Sequence, residues 1–223
     1  MLDYLPFAGL ALLLGFKHSY DADHIIAVAN FLRKANTLKS AVKISASWAL
    51  GHMITAAIVT TILYVFRESL LTAFLASFEK IVGVMLIVLG LFSLKDLFKP
   101  HGVHSHPHKH DSKQHVHAHS HDQPGHLWHI HKHMFGVGII HGLASNDELL
   151  ILLTASLGLA TLAGILFGVA VFSLGVVLGM VAFALIFSYP LLKARSDAIY
   201  KAVTVITGVI SVAYGAAMLA GVV

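Results

Sequence analysis

Long apolar runs, interrupted by short clusters of charges and turn residues, make up most of the chain. Six stand out, at about residues 5 to 30, 41 to 66, 78 to 98, 134 to 157, 160 to 189 and 199 to 222. Each approaches or exceeds the ~20 residues a helix needs to cross a hydrocarbon core. The KANTLK stretch is a stop after the first run, Pro100 closes the third and Pro190 ends the fifth, because these residues disfavour helix continuation. Glycine pairs four apart (Gly138 with Gly142, Gly164 with Gly168, Gly175 with Gly179) predict faces where helix backbones approach closely. The pattern predicts an all-α integral membrane fold of six transmembrane helices in two three-helix halves, 1–98 and 134–223. The 99–133 stretch between them has almost no aliphatic side chains, cannot build a core and is expected to be disordered.

Composition sharpens this picture. The chain is 57% hydrophobic and 12% charged, with mean hydropathy +0.80, far from the values of a soluble globular domain. It contains no cysteine, so disulfides, thiolate metal sites and thiol-disulfide carrier chemistry are excluded. Residues 1 to 16 carry Asp3 and no Lys or Arg, which predicts the start of the first span rather than a cleaved signal peptide.

Charge sets orientation. The segments after spans 1, 3 and 5 hold twelve basic residues: Arg33, Lys34, Lys39, Lys43, Lys95, Lys99, Lys109, Lys113, Lys132, Lys193, Arg195 and Lys201. The opposite side holds Arg67 and Lys80, with Lys17 inside span 1. The positive-inside rule then places both termini outside the cell membrane and the 99–133 loop in the cytoplasm. The basic residues form no groove with interleaved aromatics, so nucleic acid is not an expected partner.

A weak internal repeat runs through the halves. EKIVGVMLIVLG from Glu79 resembles YKAVTVITGVIS from Tyr200, and GFKHSYDADH has a looser counterpart in GIIHGLASNDE. Three spans per half would make the repeat inverted, the plan of many secondary transporters with a site near the bilayer midplane.

The chemistry concentrates in HSYDADH, residues 18 to 24, within the first span. An ionisable group at membrane depth costs roughly 2.5–3.5 kcal/mol even on insertion scales, so it is expected to be paired, metal-bound or functional. On a straight helix His18 and His24 lie about 9 Å apart along the axis, too far to share one ion. Either the helix is locally unwound, or His24 and Asp23 complete a site with other spans. Imidazole and carboxylate without sulfur suit Ni, Co, Zn, Fe or Mn. The bland alternative is a buried ion-pair cluster bracing the fold. His52 in span 2 and His141 in span 4 are further candidates, with Asn146, Asp147 and Glu148 following His141.

HSYDADHI resembles the His-x4-Asp-His signature of the nickel/cobalt transporter (NiCoT) permease family, with His18, Asp23 and His24 on its fixed positions and Asp21 as that family commonly has it. SWALGHMITAA resembles the family's second short motif, centred on Leu-Gly-His, and so carries His52 over. The second half differs: GIIHGLASNDE stands where the family shows a Gly-Phe-Asp-Thr type motif with a downstream Glu. The family's usual plan has eight spans with the signature on the second. The resemblance implies a transporter of Ni(II) and/or Co(II), not an enzyme, with His18, Asp21, Asp23, His24 and His52 as metal ligands and no cofactor beyond the transported ion; His141, read from its own place in the second half, is expected to join them as a ligand.

The stretch from His101 to His133 holds 13 histidines in 33 residues: His101, His104, His106, His108, His110, His115, His117, His119, His121, His126, His129, His131 and His133. Alternating His-x-His units bind borderline divalent cations reversibly, which predicts local metal capture. A similar loop between three-span halves occurs in nickel/cobalt efflux proteins and zinc transporters, so efflux is the rival direction to uptake. A membrane metalloenzyme would need a His-Glu-x-x-His spacing that is absent, and in a metal sensor the loop would be the active part. No phosphate-binding G-x4-G-K-[ST] loop is present, so the expected energy source is a gradient, the membrane potential or a separate partner. Expected partners are membrane lipid and the metal ion, with a homo-oligomer and a cytosolic metallochaperone left open.

Overall fold

The computed structural model describes residues 4–66, 71–98, 104–110, 113–119, 124–144, 161–194 and 196–223. Among them are seven helices: α1 (Tyr4–His18), α2 (Ala22–Leu32), α3 (Leu38–Phe66), α4 (Leu71–Asp96), α5 (Pro124–Ala144), α6 (Leu162–Ala194) and α7 (Asp197–Leu219). Three satisfy both length and apolarity for crossing a membrane, namely Leu38–Ile62 of α3, all of α6 and all of α7, while Leu5–His18 and Ala22–Leu32 are shorter apolar helices. The protein is thus a helical membrane protein.

Several boundaries differ from the sequence expectation. The first run is two helices, not one. Pro190 does not end the fifth run, because α6 continues through it to Ala194. A proline near a helix end removes one backbone hydrogen bond, which membrane helices tolerate where local adjustment satisfies the freed carbonyl. The stretch expected to be disordered contains an antiparallel hairpin, β1 (His104–His110) with β2 (Lys113–His119), in which His104, His106 and His108 are Cα partners of His119, His117 and His115. Its physical reason is the period of two in the His-x-His alternation, which puts like residues on one face of a strand. Helix α5 begins inside the same stretch at Pro124, a residue suited to a first helical turn. The second part of the fourth run, 145–157, lies outside the described residues.

Helix pairs pack at glycine distance. A Cβ on Gly15 of α1 would meet the Phe172 carbonyl of α6, and one on Gly175 of α6 would meet the Leu12 carbonyl of α1. The same relation joins α3 to α5, where Gly138 faces the Trp48 carbonyl and Gly51 the Phe135 carbonyl. Gly83 and Gly90 of α4 lie against Gly215 and Gly208 of α7. Two of the sequence-predicted pairs serve this packing: Gly138 and Gly142 against α3, Gly175 and Gly179 against α1. The core they enclose holds Leu32, Ile44, Trp48, Leu86, Met134, Phe172 and Met180, all essentially buried.

A second polar cluster pins the far end of α2. Arg33, only 5% exposed, donates to Tyr200 Oη at 2.8 Å, to Asp96 Oδ2 at 2.8 Å and to Ser93 Oγ at 3.2 Å. Ser93 in turn donates to Asn30 Oδ1 at 2.5 Å, and Lys34 Nζ lies 2.6 Å from Asp96. The ends of α2 and α4 and the start of α7 therefore meet at one basic pole. A cavity of about 490 Å³ beside Arg33, Tyr200 and Asp197 opens at this pole, away from the HSYDADH histidines.

Candidate metal centre

The break between α1 and α2 builds the site. Helix α1 stops at His18, and its last turn tightens: Tyr20 N–H donates to the Lys17 carbonyl and Asp21 N–H to the His18 carbonyl, each at 3.0 Å. Asp21 then sits at the N-cap of α2 in extended backbone (ψ 144), and Ile25 N–H donates to its carbonyl at 3.1 Å. An N-cap carboxylate ordinarily accepts from the first turn's N–H groups. Asp21 makes no such cap, and its Oδ2 lies 2.8 Å from His18 Nδ1 instead. The three-residue turn also folds the chain so that the His18 and His24 rings come to 4.5 Å, which a straight helix forbids.

Four histidines converge there, and all are at most 2% exposed: His18, His24, His52 and His141. His18 Nε2 lies 3.4 Å from His52 Nε2, and one ligand atom from each of His18, His24 and His52 falls within 4.8 Å of the others. Three imidazole nitrogens on one tetrahedral ion with bonds of ~2.0–2.1 Å sit about 3.4 Å apart. The His18–His52 edge already has that length, and His24 brings a ligand atom within 4.8 Å of both. His24 Nδ1 bonds Asp23 Oδ1 at 2.7 Å, while His24 Nε2 is buried without a hydrogen-bond partner. A buried polar atom with no partner is costly. His141 comes from α5: its ring is 4.9 Å from that of His24, and its Nε2 lies 3.9 Å from Asp23 Oδ2.

The sequence-predicted residues thus divide. His18, His24 and His52 gather their ligand atoms, Asp23 and His141 lie beside them, and Asp21 contacts His18 at the partly exposed edge. Asn146, Asp147 and Glu148 lie outside the described residues. The side chains of the loop histidines from His101 to His131 lie outside the described residues, and His133 is exposed.

Trp48 is the residue the sequence reading passed over. It is fully buried, its ring centroid lies 5.0 Å from His24, 5.2 Å from His52 and 5.7 Å from His141, and its indole N–H donates to His141 Nδ1 at 3.2 Å. Its signal was position: Trp48 precedes His52 by four residues and shares its helix face. Phe172 closes the opposite side, 5.4 Å from His18.

A family model described as cytochrome c biogenesis protein transmembrane region matches residues 9–217. The chain belongs to this family. It is also 32% identical over 214 residues to the urease accessory protein UreH of Bacillus sp. (strain TB-90), covering 96% of this chain and 90% of that protein. No solved structure matches. Neither description is that of an enzyme. With no cysteine, this member of the family has no dithiol to exchange.

Proposed function

We propose that the protein carries Ni(II) and/or Co(II) across the cell membrane, with uptake as its direction and the broken first span as its site. The observation that carries this reading is the meeting of four buried histidines from four helices, α1, α2, α3 and α5, at a helix break, one with an unpartnered Nε2. Nitrogen-rich donor sets favour the later first-row divalent metals over Mg, Ca or Mn. Neutral imidazoles would replace the water lost on entry, and the charges of Asp21 and Asp23 would offset the dication. Similarity to the urease accessory protein UreH over most of the chain supports the transporter reading. An inside-negative membrane potential itself drives a dication inward.

The architecture we assign is six spans in two inverted halves, with termini outside and the His-rich segment in the cytoplasm. Two observations support it. Exchanging α1 with α5 and α3 with α6 turns the Gly15–Phe172 contact into Gly138–Trp48, and Gly175–Leu12 into Gly51–Phe135. The contacts of Arg33 with Asp96 and Tyr200 bring together the three chain segments that the charge count assigns to one side.

Flux into proteoliposomes across Ni, Co, Zn, Fe and Mn tests the function: Ni(II) and Co(II) should enter well ahead of Fe(II) and Mn(II), and equal flux of all five would overturn the reading. Trp48 supplies a local probe. In Trp128→Phe protein, Trp48 is the sole tryptophan. Ni(II) and Co(II), with partly filled d shells, should strongly quench its emission, whereas d10 Zn(II) should quench little. Emission unchanged by saturating Ni(II) would remove the ion from the histidine cluster.

The histidine-rich segment is assigned to metal capture on the cytoplasmic side. Deleting 101–123, which leaves α5 and its His141 whole, should leave more than about half of the flux at saturating metal. A loss as complete as that of the buried histidines would favour the efflux or sensor reading, in which the loop acts directly.

A further inference from the structure

Resting on that reading of the site, we infer that Asp23 is not a ligand of the transported ion but the positioning residue that makes His24 Nε2 one. An ionised carboxylate only accepts hydrogen bonds, so the 2.7 Å contact from Asp23 Oδ1 puts the proton of neutral His24 on Nδ1. The lone pair is then on Nε2, the buried atom without a partner. The second oxygen of Asp23 lies 3.9 Å from His141 Nε2. His141 is fixed from its other side by the Trp48 N–H on Nδ1. The carboxylate therefore spans two rings, and the arrangement matches the carboxylate–histidine–metal relay that orients ligands in many metalloproteins.

The consequence for substrate class is direct. A first shell of imidazoles from His18, His24 and His52 with the carboxylates outside it selects nitrogen-preferring cations and gives oxygen-preferring ones no anionic ligand to hold. Direct ligation by Asp23 would predict the reverse tolerance, with Mn(II) and Mg(II) as competitors.

The test is a comparison of Asp23→Asn with Asp23→Ala in the full chain carrying Trp128→Phe, reading Ni(II) affinity by Trp48 quenching under buffered free metal. Both substitutions remove the charge, and only asparagine keeps an oxygen that accepts from His24 Nδ1. With His24 in place, asparagine should bind Ni(II) about tenfold or more tighter than alanine, in the range seen for outer-shell partners. In a His24→Ala background, or His24→Gln if that variant folds better, the two should agree within about threefold, because the residue they act through is gone. Equal affinities with His24 present, or a difference that survives its removal, would overturn the inference and return Asp23 to a purely electrostatic or a ligating role. Absence of quenching in the parent protein would instead sink the metal site itself.

Discussion

Replacing His24 or His52 by alanine should lower Ni(II) flux by more than about 100-fold, beyond the 10–100-fold typical of outer-shell changes, while leaving the protein inserted and monodisperse. Each substitution removes one of the three nitrogens that fall within 4.8 Å of one another, and two remaining imidazoles cannot replace the hydration shell of a divalent ion. The loss should be in transport rather than in folding. Both rings are buried among other histidines and Trp48, so alanine removes a polar group as well as volume, and the two changes partly offset each other in stability. Proteoliposome flux, paired with thermal unfolding in detergent, separates these effects. Flux within threefold of the parent in both variants would place the pathway elsewhere.

How much of this was readable beforehand follows from the kind of information each feature needs. The helix break was one of the two alternatives that HSYDADH left open, because two histidines six residues apart cannot share an ion on a straight helix. The gathering of His52 was suggested by its motif, but its 3.4 Å approach to His18 depends on the angle between α1 and α3, which no local pattern encodes. Trp48 was invisible for a different reason: a tryptophan in an apolar run reads as core, and its donor role shows only when His141 arrives from the other half of the chain. Arg33 counted as one of twelve orienting charges, yet it is buried with Asp96, Ser93 and Tyr200, because a charge count records which side a residue is on and not what it faces. The hairpin was missed by weighing composition over period: a stretch poor in aliphatics lacks a core, but its alternation still suits a strand pair.

Gly138→Ala should destabilise the protein by about 1–3 kcal/mol and reduce flux with it, whereas Gly136→Ala, two residues away on the same helix, should be neutral or stabilising by up to about 1 kcal/mol. The opposite signs follow from what a methyl group would meet. At Gly136 nothing lies within 4 Å of the added Cβ, so the substitution gains the helix propensity of alanine over glycine and little else. At Gly138 the Cβ would meet the Trp48 backbone carbonyl, with His52 N next nearest at 3.1 Å. Backbone cannot rotate away as a side chain can, so α5 and α3 must separate along the contact that brings His141 to Trp48 and the His24 ring. The expected signature is therefore coupled: a lower unfolding midpoint together with weaker Ni(II) quenching of Trp48. Gly15→Ala should behave in the same way at the α1–α6 contact, where the Phe172 carbonyl occupies the equivalent place. A stabilised Gly138→Ala protein with parental flux would show that α3 and α5 do not pack at glycine distance in the membrane, and with it would go the geometry that joins His141 to the site.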